Sequence, residues 1–455
     1  MTIARLFPSA PRAALCLLVA SASLALAQNR PASTTPAGQS DVIVQLSEFQ
    51  VTASVDDGYR ATNALSGTRF NTSLLELPKA VDVITAEFIS DIGAVDLGEA
   101  VAYATSISQA NASANDDITG SNFNVRGFNT FTTYRNGFRH FGIIDPINID
   151  RIEIIKGPSS VFSGPIEPGG TINTITKRPS TKASGSLAFR YASYASRRIE
   201  ASATGPLNAS RSIAYRLATA VSRTGYKYDY SGLDKGVIGG AVSWKLSEAT
   251  NVFFEGQFVN NQSKLVATAR AINSTRTAYE PNISANFNRN GPLAYSDVIQ
   301  YSGTVEANHR LGERWSVRSG LYYRYQSLSR FRDAGSAVMT ASAAVPGGRL
   351  LNRQGEYEPN ADSYVLTPSV NALGSFNYGA VQQRLILGYE YFYELTRNDV
   401  FRRSFTGAAA LNLNAPTFDL GDPGTYAPSD LRRTWAEQSA YSANTLFSLF
   451  GGRTM

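Results

Sequence analysis

The chain has one cysteine, three methionines, three tryptophans and two histidines among 455 residues, and only 17% of it is charged. Cys16, the single cysteine, falls in an N-terminal stretch that reads as removable, so the mature protein has neither a disulfide framework nor a thiolate site. His140 and His309 stand without HExxH, clustered cysteines or GxxxxGKS/T, which leaves metal catalysis and nucleotide hydrolysis with no visible apparatus. No Ser, His and acid arrangement stands out either, and the chain reads as a non-enzyme. Asp116-Asp117 beside Gly120 reads as a solvated turn rather than a calcium loop. Also missing from the mature chain is any run of about 18 uninterrupted apolar residues, so a membrane-spanning form has to be a closed barrel. The formal net charge of +6 is spread without a basic stripe, which argues against nucleic acid.

What is present is aromatic. Twenty-three Tyr and 23 Phe with few charges suit a β-protein that has one wet side and one apolar side. Residues 1–27 carry Arg5 and Arg12, then an apolar run ending Ala25-Leu26-Ala27, as in a secretory signal cleaved before Gln28. An anchored helix is the weaker reading, because the run is shorter than the ~20 residues of a span. Losing those two arginines takes the formal charge from +6 to +4.

Residues 28–57 begin with a Pro, Ala, Ser and Thr tether that has too little apolar surface to fold. Glu48, Phe49, Gln50, Val51, Thr52 and Ala53 form a short β-prone peptide suited to strand addition on a partner. From residue 58 to 180 the pattern is globular and mixed. Leu77 to Thr85 reads as a strand entered through Pro78, Ala86 to Ile92 and Asp96 to Thr105 as helices, with Asp96 a plausible N-cap. Ile152, Ile154 and Ile155 alternate with Arg151, Glu153 and Lys156 as in a half-buried strand, which Gly157-Pro158 breaks. Thr171 to Thr176 reads as a second strand after a Gly/Pro turn.

From residue 181 to 455 the period becomes two. Leu187, Phe189 and Tyr191 alternate with Ser186, Ala188 and Arg190, and Leu385 to Tyr393 alternate with Arg384, Glu390 and Glu394. Short turns near residues 207–211, 247–251, 312–314 and 377–380 alternate with long polar connections near 261–295, 331–362 and 398–433. That alternation of loop lengths belongs to membrane barrels and is not normal for a soluble β-sandwich, the competing fold.

The run from Asp150 to Pro179, DRIEIIKGPSSVFSGPIEPGGTINTITKRP, resembles the end of the plug domain of TonB-dependent outer-membrane receptors, roughly ERIEVLKGPxSVLYGxxxPGGxxNxxTKRP. Its EPGG and TKRP forms look most like the ferric-siderophore branch. Leu77 to Thr85 is similar to the family's LPQSVTVIT, and Asn124 to Phe128 to its IRGF. The resemblance implies a mainly β fold: a mixed α/β plug followed by a transmembrane antiparallel β-barrel. It makes Glu48 to Ala53 a Ton box gripped by the TonB energy-coupling protein with its inner-membrane motor. It also implies active transport of a ferric siderophore or similar chelate across the bacterial outer membrane, with iron carried inside the ligand and no cofactor on the protein. Cobalamin, a nickel chelate or an oligosaccharide are alternative cargoes, and a passive pore or adhesin is an alternative class.

Site expectations follow from the same resemblance. Arg126 and Arg151 are expected to pair with barrel-wall glutamates and seat the plug. Phe131, Tyr134, Arg135, Arg139, His140 and Phe141 are expected at an outward-facing apex, offering rings and positive charge to an anionic chelate. Packing of Phe131, Phe138 and Phe141 into the plug core is the equally weighted alternative. From Ser184 to Phe450 about ten alternating strands are expected, against about 22 in plugged transporters of this type, so the expectation is a receptor with roughly half its barrel. Alone, such an open sheet is expected to aggregate rather than insert.

Overall fold

The structure is a computed structural model that describes residues 58–449 except 67–69, 78, 110–121, 131–132, 158–167, 265–274, 276, 279–282, 336–337, 341–344 and 346–348. The expected signal (residues 1–27), the expected leader and Ton box (residues 28–57), and Phe131 lie outside the described residues.

The short strands β1 (Asn63–Ala64) and β2 (Thr72–Ser73) pair first, followed by β3 (Val81–Thr85). Helix α1 (Ala86–Asp91) starts where the Thr85 hydroxyl accepts from Phe88 N. Helix α2 (Leu97–Val101) starts at Asp96, whose carboxylate accepts from Glu99 N at 2.8 Å, the N-cap expected from sequence. The helix is shorter than expected and ends at Val101.

Six further strands complete the plug: β4 (Ile107–Gln109), β5 (Phe123–Val125), β6 (Phe128–Thr130), β7 (Thr133–Arg135), β8 (Phe138–His140) and β9 (Ile149–Lys156), with β10 (Gly170–Thr176) closing the central sheet. That sheet runs β3-β9-β10-β7-β8, antiparallel except for β10 beside β7. The expected strand-turn-strand unit is thus its centre.

The half-buried reading of β9 needs correction, because Arg151 and Glu153 are as buried as Ile152 and Ile154, all at 0% exposure. One face of β9 packs Ile152 and Ile154 with Ile84, Ile89, Leu97, Val101, Phe123 and Ile172. On the other face Glu153 is covered by residues 65 and 66. Alternating polarity reported two faces correctly, but both are enclosed.

The barrel sheet has ten strands, each antiparallel to the next: β11 (Ser184–Ala192), β12 (Ser196–Pro206), β13 (Ile213–Thr224), β14 (Gly232–Lys245), β15 (Thr250–Lys264), β16 (Tyr295–Leu311), β17 (Trp315–Asp333), β20 (Arg353–Tyr378), β21 (Val381–Phe405) and β23 (Ala427–Leu449). A small separate sheet of β18 (Met339–Thr340), β19 (Leu350–Leu351) and β22 (Leu411–Asn412) lies in the long connections. Strand β16 shows why the sequence alternates. Ser296, Gln300, Thr304 and Glu306 face in and are buried, while Ile299, Tyr301 and Val305 face out and are 41–49% exposed. The outward rings of Phe258, Tyr301, Tyr325 and Tyr364 are register neighbours on β15, β16, β17 and β20, with centroids 5.0, 6.2 and 4.8 Å apart. No helix among the described residues is long and apolar enough to cross a membrane.

The short turns fall where expected, but two long connections are shorter than the sequence implied. Strands β20, β21 and β23 run for 26, 25 and 23 residues, so their ends occupy much of the segments 331–362 and 398–433. A spanning strand needs only about 9–11 residues. The excess is polar and pairs across strands: Glu356 meets Arg332 and Arg402, each at 2.7 Å, and Arg330 meets Glu358 at 2.7 Å. Charge at that density imitates a loop in sequence while forming a ladder in space.

Candidate functional site

The plug residues singled out from sequence converge on one hairpin. Asn136 and Gly137 both have positive φ, 52° and 85°, as a two-residue type I′ turn requires, and they fold β8 back on β7. The hairpin is pressed against the inner wall of the barrel. Tyr134, Arg135, Arg139 and His140 are at most 9% exposed, and Phe141 is half-buried. This corrects the expectation of an exposed apex at these positions.

Arg135, Phe138, Arg139 and His140 each have a wall partner. Phe138 stacks on Tyr322 at 5.7 Å between centroids, and His140 Nδ1 lies 2.5 Å from the Tyr322 hydroxyl. Arg139 donates to Gln438 Oε1 at 2.7 Å and lies 4.8 Å over the Phe392 ring. Gly142 then passes so close to the wall that an added Cβ would sit 2.1 Å from Gln300 Oε1. This close approach lets Gln300 clamp the next residue, accepting from Ile143 N at 2.9 Å and donating to Ile143 O at 3.1 Å. Burial lowers the His140 pKa well below the usual imidazole range, and the guanidiniums of Arg135 and Arg324 add to the effect.

Among the described residues, ion pairs between plug and wall form three groups. Arg135 pairs with Glu255, whose other oxygen accepts from Asn136 Nδ2 at 3.1 Å and Thr176 Oγ1 at 2.9 Å. Arg178 of the TKRP run meets Glu306 at 3.0 Å, and the wall's own Arg318 meets the same carboxylate at 3.0 Å. Asp145 accepts a two-pronged contact from Arg198, at 2.6 and 3.0 Å, and an ion pair from Lys235 at 3.0 Å. Burial alone would raise the Asp145 pKa, but Lys235 and Arg198 outweigh it and hold the carboxyl at about 2. The same carboxylate accepts from Ile147 N and caps the short turn Pro146–Asn148 that leads into β9.

The two arginines expected to lock the plug differ in setting. Arg151 is fully buried, with Nε 3.4 Å from Asp150 Oδ2 and Nη1 3.3 Å from Asn63 O. Arg126 is exposed in the turn between β5 and β6, at φ 53°, with its guanidinium beside Gly157. Neighbouring Glu153 accepts from Leu65 N at 3.1 Å and from both the amide and the hydroxyl of Ser66. Burial, opposed by those hydrogen bonds, leaves its pKa raised. Sequence reasoning missed Asp145, Arg178 and Glu255 as wall contacts. For the hairpin a signal existed: Asn-Gly between β-prone triplets is a strong hairpin marker. Nothing local marks which glutamate of a periodic strand will meet an arginine more than a hundred residues away.

Comparison with known proteins agrees with this geometry. Residues 73–171 match the family model described as TonB-dependent Receptor Plug Domain. The metal-pseudopaline receptor of Pseudomonas aeruginosa strain UCBPP-PA14 is 26% identical over 385 residues, covering 79% of this chain and 50% of that protein. The ferrioxamine B receptor of Salmonella typhimurium strain SL1344 is 22% identical over 340 residues, covering 71% and 47%. Among solved structures, the ferripyoverdine receptor of the Pseudomonas aeruginosa outer membrane, bound to ferripyoverdine, superposes with a TM-score of 0.73 at 16% identity, covering 85% of this chain and 52% of that one. The ferric preacinetobactin receptor of Acinetobacter baumannii gives 0.72 at 16% identity, covering 88% and 59%. The chain spans about half the length of the curated relatives it matches. A TonB-dependent receptor plug domain at residues 73–171 is thus followed by a ten-stranded sheet whose fold is similar to that of the solved siderophore receptors.

Proposed function

We propose that this protein serves energy-coupled uptake of a ferric siderophore or similar metal chelate across a bacterial outer membrane. The carrying observation is the way the plug fills the inner face of the barrel sheet. It is held by discrete buried polar contacts, at Glu255, Glu306 and Asp145, and by separate small apolar clusters such as that of Ile143 and Ile147 with Val237, Val259 and Val298, rather than by one continuous apolar core. Contacts of that kind seat a plug firmly at rest yet re-form after displacement, which suits a gate that opens on demand. The relatives carry the same cargo class in their names: metal-pseudopaline, ferrioxamine B and ferripyoverdine.

In this reading Glu48 to Ala53 is the peptide gripped by the TonB protein, and iron travels inside the ligand rather than on the protein. Residues 1–27 direct export, 28–57 form the leader, 58–180 the plug and 181–455 the barrel part. Tyr134, Arg135, Arg139 and His140, buried at rest, and the half-buried Phe141 meet the chelate only once the hairpin leaves the wall. Arg126 and Arg151 hold the plug together internally, a role that suits the contact of Arg151 with Asn63 O. The test is growth of a deletion strain under iron limitation on a panel of ferric chelates. Loss of growth on one chelate, restored by the gene, supports the reading; undiminished growth on every chelate overturns it.

A further inference from the structure

Five inward-facing positions lie side by side at one level of the barrel wall: Arg190, Arg198, Ser222, Lys235 and Asn261, successive register partners on β11 to β15. Asp145 of the plug, itself 0% exposed, ends on the middle of this row, bound by Arg198 and Lys235. Two members of the row are buried without using their polar atoms. Ser222 is 6% exposed and Asn261 1% exposed, and among the described residues neither the Ser222 hydroxyl nor the Asn261 amide has a hydrogen-bond partner. A buried amide with both ends unmet is costly, and a row built only to receive one carboxylate would not need it.

The remaining contacts of the row are few. Glu200 is shared by Arg190 at 2.8 Å and Arg198 at 2.6 Å, and Lys235 also donates to Val95 O at 2.8 Å. With Asp145 withdrawn, three cations face Glu200 on the wall and Glu99 of the plug, which leaves one positive charge in excess. The row then has the charge excess, the paired donors and the neutral hydrogen-bonding groups of an oxyanion site.

We propose that the row Arg198, Ser222, Lys235 and Asn261 is an anion-binding site on the inner barrel wall, occupied at rest by Asp145 as a built-in competitor. It becomes available to an anionic chelate bearing carboxylate or similar oxyanion groups when the segment around Asp145 leaves the wall. The idea rests on the uptake reading only for its physiological use. Binding is measured on the purified full-length protein without energy coupling, so failure of uptake and failure of this site are separate results.

The probe is citrate, followed by calorimetry. Asp145→Asn is expected to tighten citrate binding about tenfold or more, the scale of one charge-assisted contact. Adding Arg198→Gln and Lys235→Gln to that variant is expected to abolish the gain. An Asp145→Asn protein without gain, or a gain that survives in the triple variant, overturns the proposal. Should Asp145→Asn not fold, the unaltered protein carries the test by competition. Citrate at increasing concentration is expected to speed hydrogen exchange at residues 143–149, whereas sucrose is not. Equal exchange in the two solutes overturns the site.

Discussion

Arg178 lies with its guanidinium carbon 3.6 Å above the ring of Phe253, a plug cation stacked on an aromatic of the inner barrel wall. The same guanidinium reaches Glu306 at 3.0 Å, so the end of the plug is fixed both by stacking and by charge just before β11 begins. Glu306 is fully buried and answers two cations, Arg178 and Arg318. Glu306→Gln is therefore expected to leave two guanidiniums facing a neutral amide, at a cost of about 3 kcal/mol. Hydrogen exchange of residues 170–178 should accelerate by roughly two orders of magnitude. Unchanged exchange there would show that the pair contributes nothing to seating.

Glu153 makes a comparable point within the plug. Its carboxylate collects Leu65 N, Ser66 N and the Ser66 hydroxyl, and thereby ties the first described segment of the chain to the central sheet. Glu153→Ala strands those donors and is expected to cost about 3 kcal/mol, with Glu153→Gln costing about half as much because one acceptor remains. Limited proteolysis should cut Glu153→Ala first near residues 58–66. If the cleavage pattern matches that of the unaltered protein, the segment is held by other contacts.

His140 supplies a pH dependence with a definite sign. Its folded pKa is depressed well below the usual 6.5 by burial and by Arg135 and Arg324, so the unfolded chain binds a proton that the folded plug refuses. Stability from this residue is complete above the unfolded value and is lost as pH falls below it, by up to about 1.4 kcal/mol per pH unit. Asp145, also depressed, acts lower: its contribution is complete above its unfolded pKa and is lost as pH falls from that value through about 2. Chemical unfolding of the plug at pH 7 and pH 5 should show the loss, and His140→Gln should remove most of it. Equal losses in both proteins would locate the proton elsewhere.

How much of this was legible in the sequence differs from element to element. Strand β3, the Asp96 cap of α2, the β9 and β10 pair, the number of barrel strands and the positions of the short turns all come from local signals: a cap, Gly/Pro breaks and a period of two. The ends of β20, β21 and β23 were not legible, because Glu356 and its arginines form a ladder whose composition is that of a loop. The setting of Tyr134 to Phe141 was misread for a related reason. Rings and arginines have the same composition whether they face solvent or a polar inner wall, and only the partners, Tyr322, Gln438 and Glu255, distinguish the two.

The outward ring row gives a direct check on which face of the sheet meets lipid. Tyr301 sits between Phe258 and Tyr325 on the outer face. Tyr301→Lys is expected to cost about 2–4 kcal/mol if the row lies at mid-membrane depth, while Tyr301→Phe is close to neutral. Unfolding from lipid vesicles measures both, and equal tolerance of the two would contradict the assignment of this face.

Energy-coupled uptake is tested most directly by Val51→Pro in the full-length protein, expressed in its native host and supplied with a radiolabelled ferric chelate that supports growth. Proline removes a backbone donor and fixes φ, which disables strand addition by a coupling protein. The expected result is surface binding equal to that of the unaltered protein together with uptake reduced to the level of a strain lacking TonB. Uptake that continues at the unaltered rate and still depends on energy would contradict it.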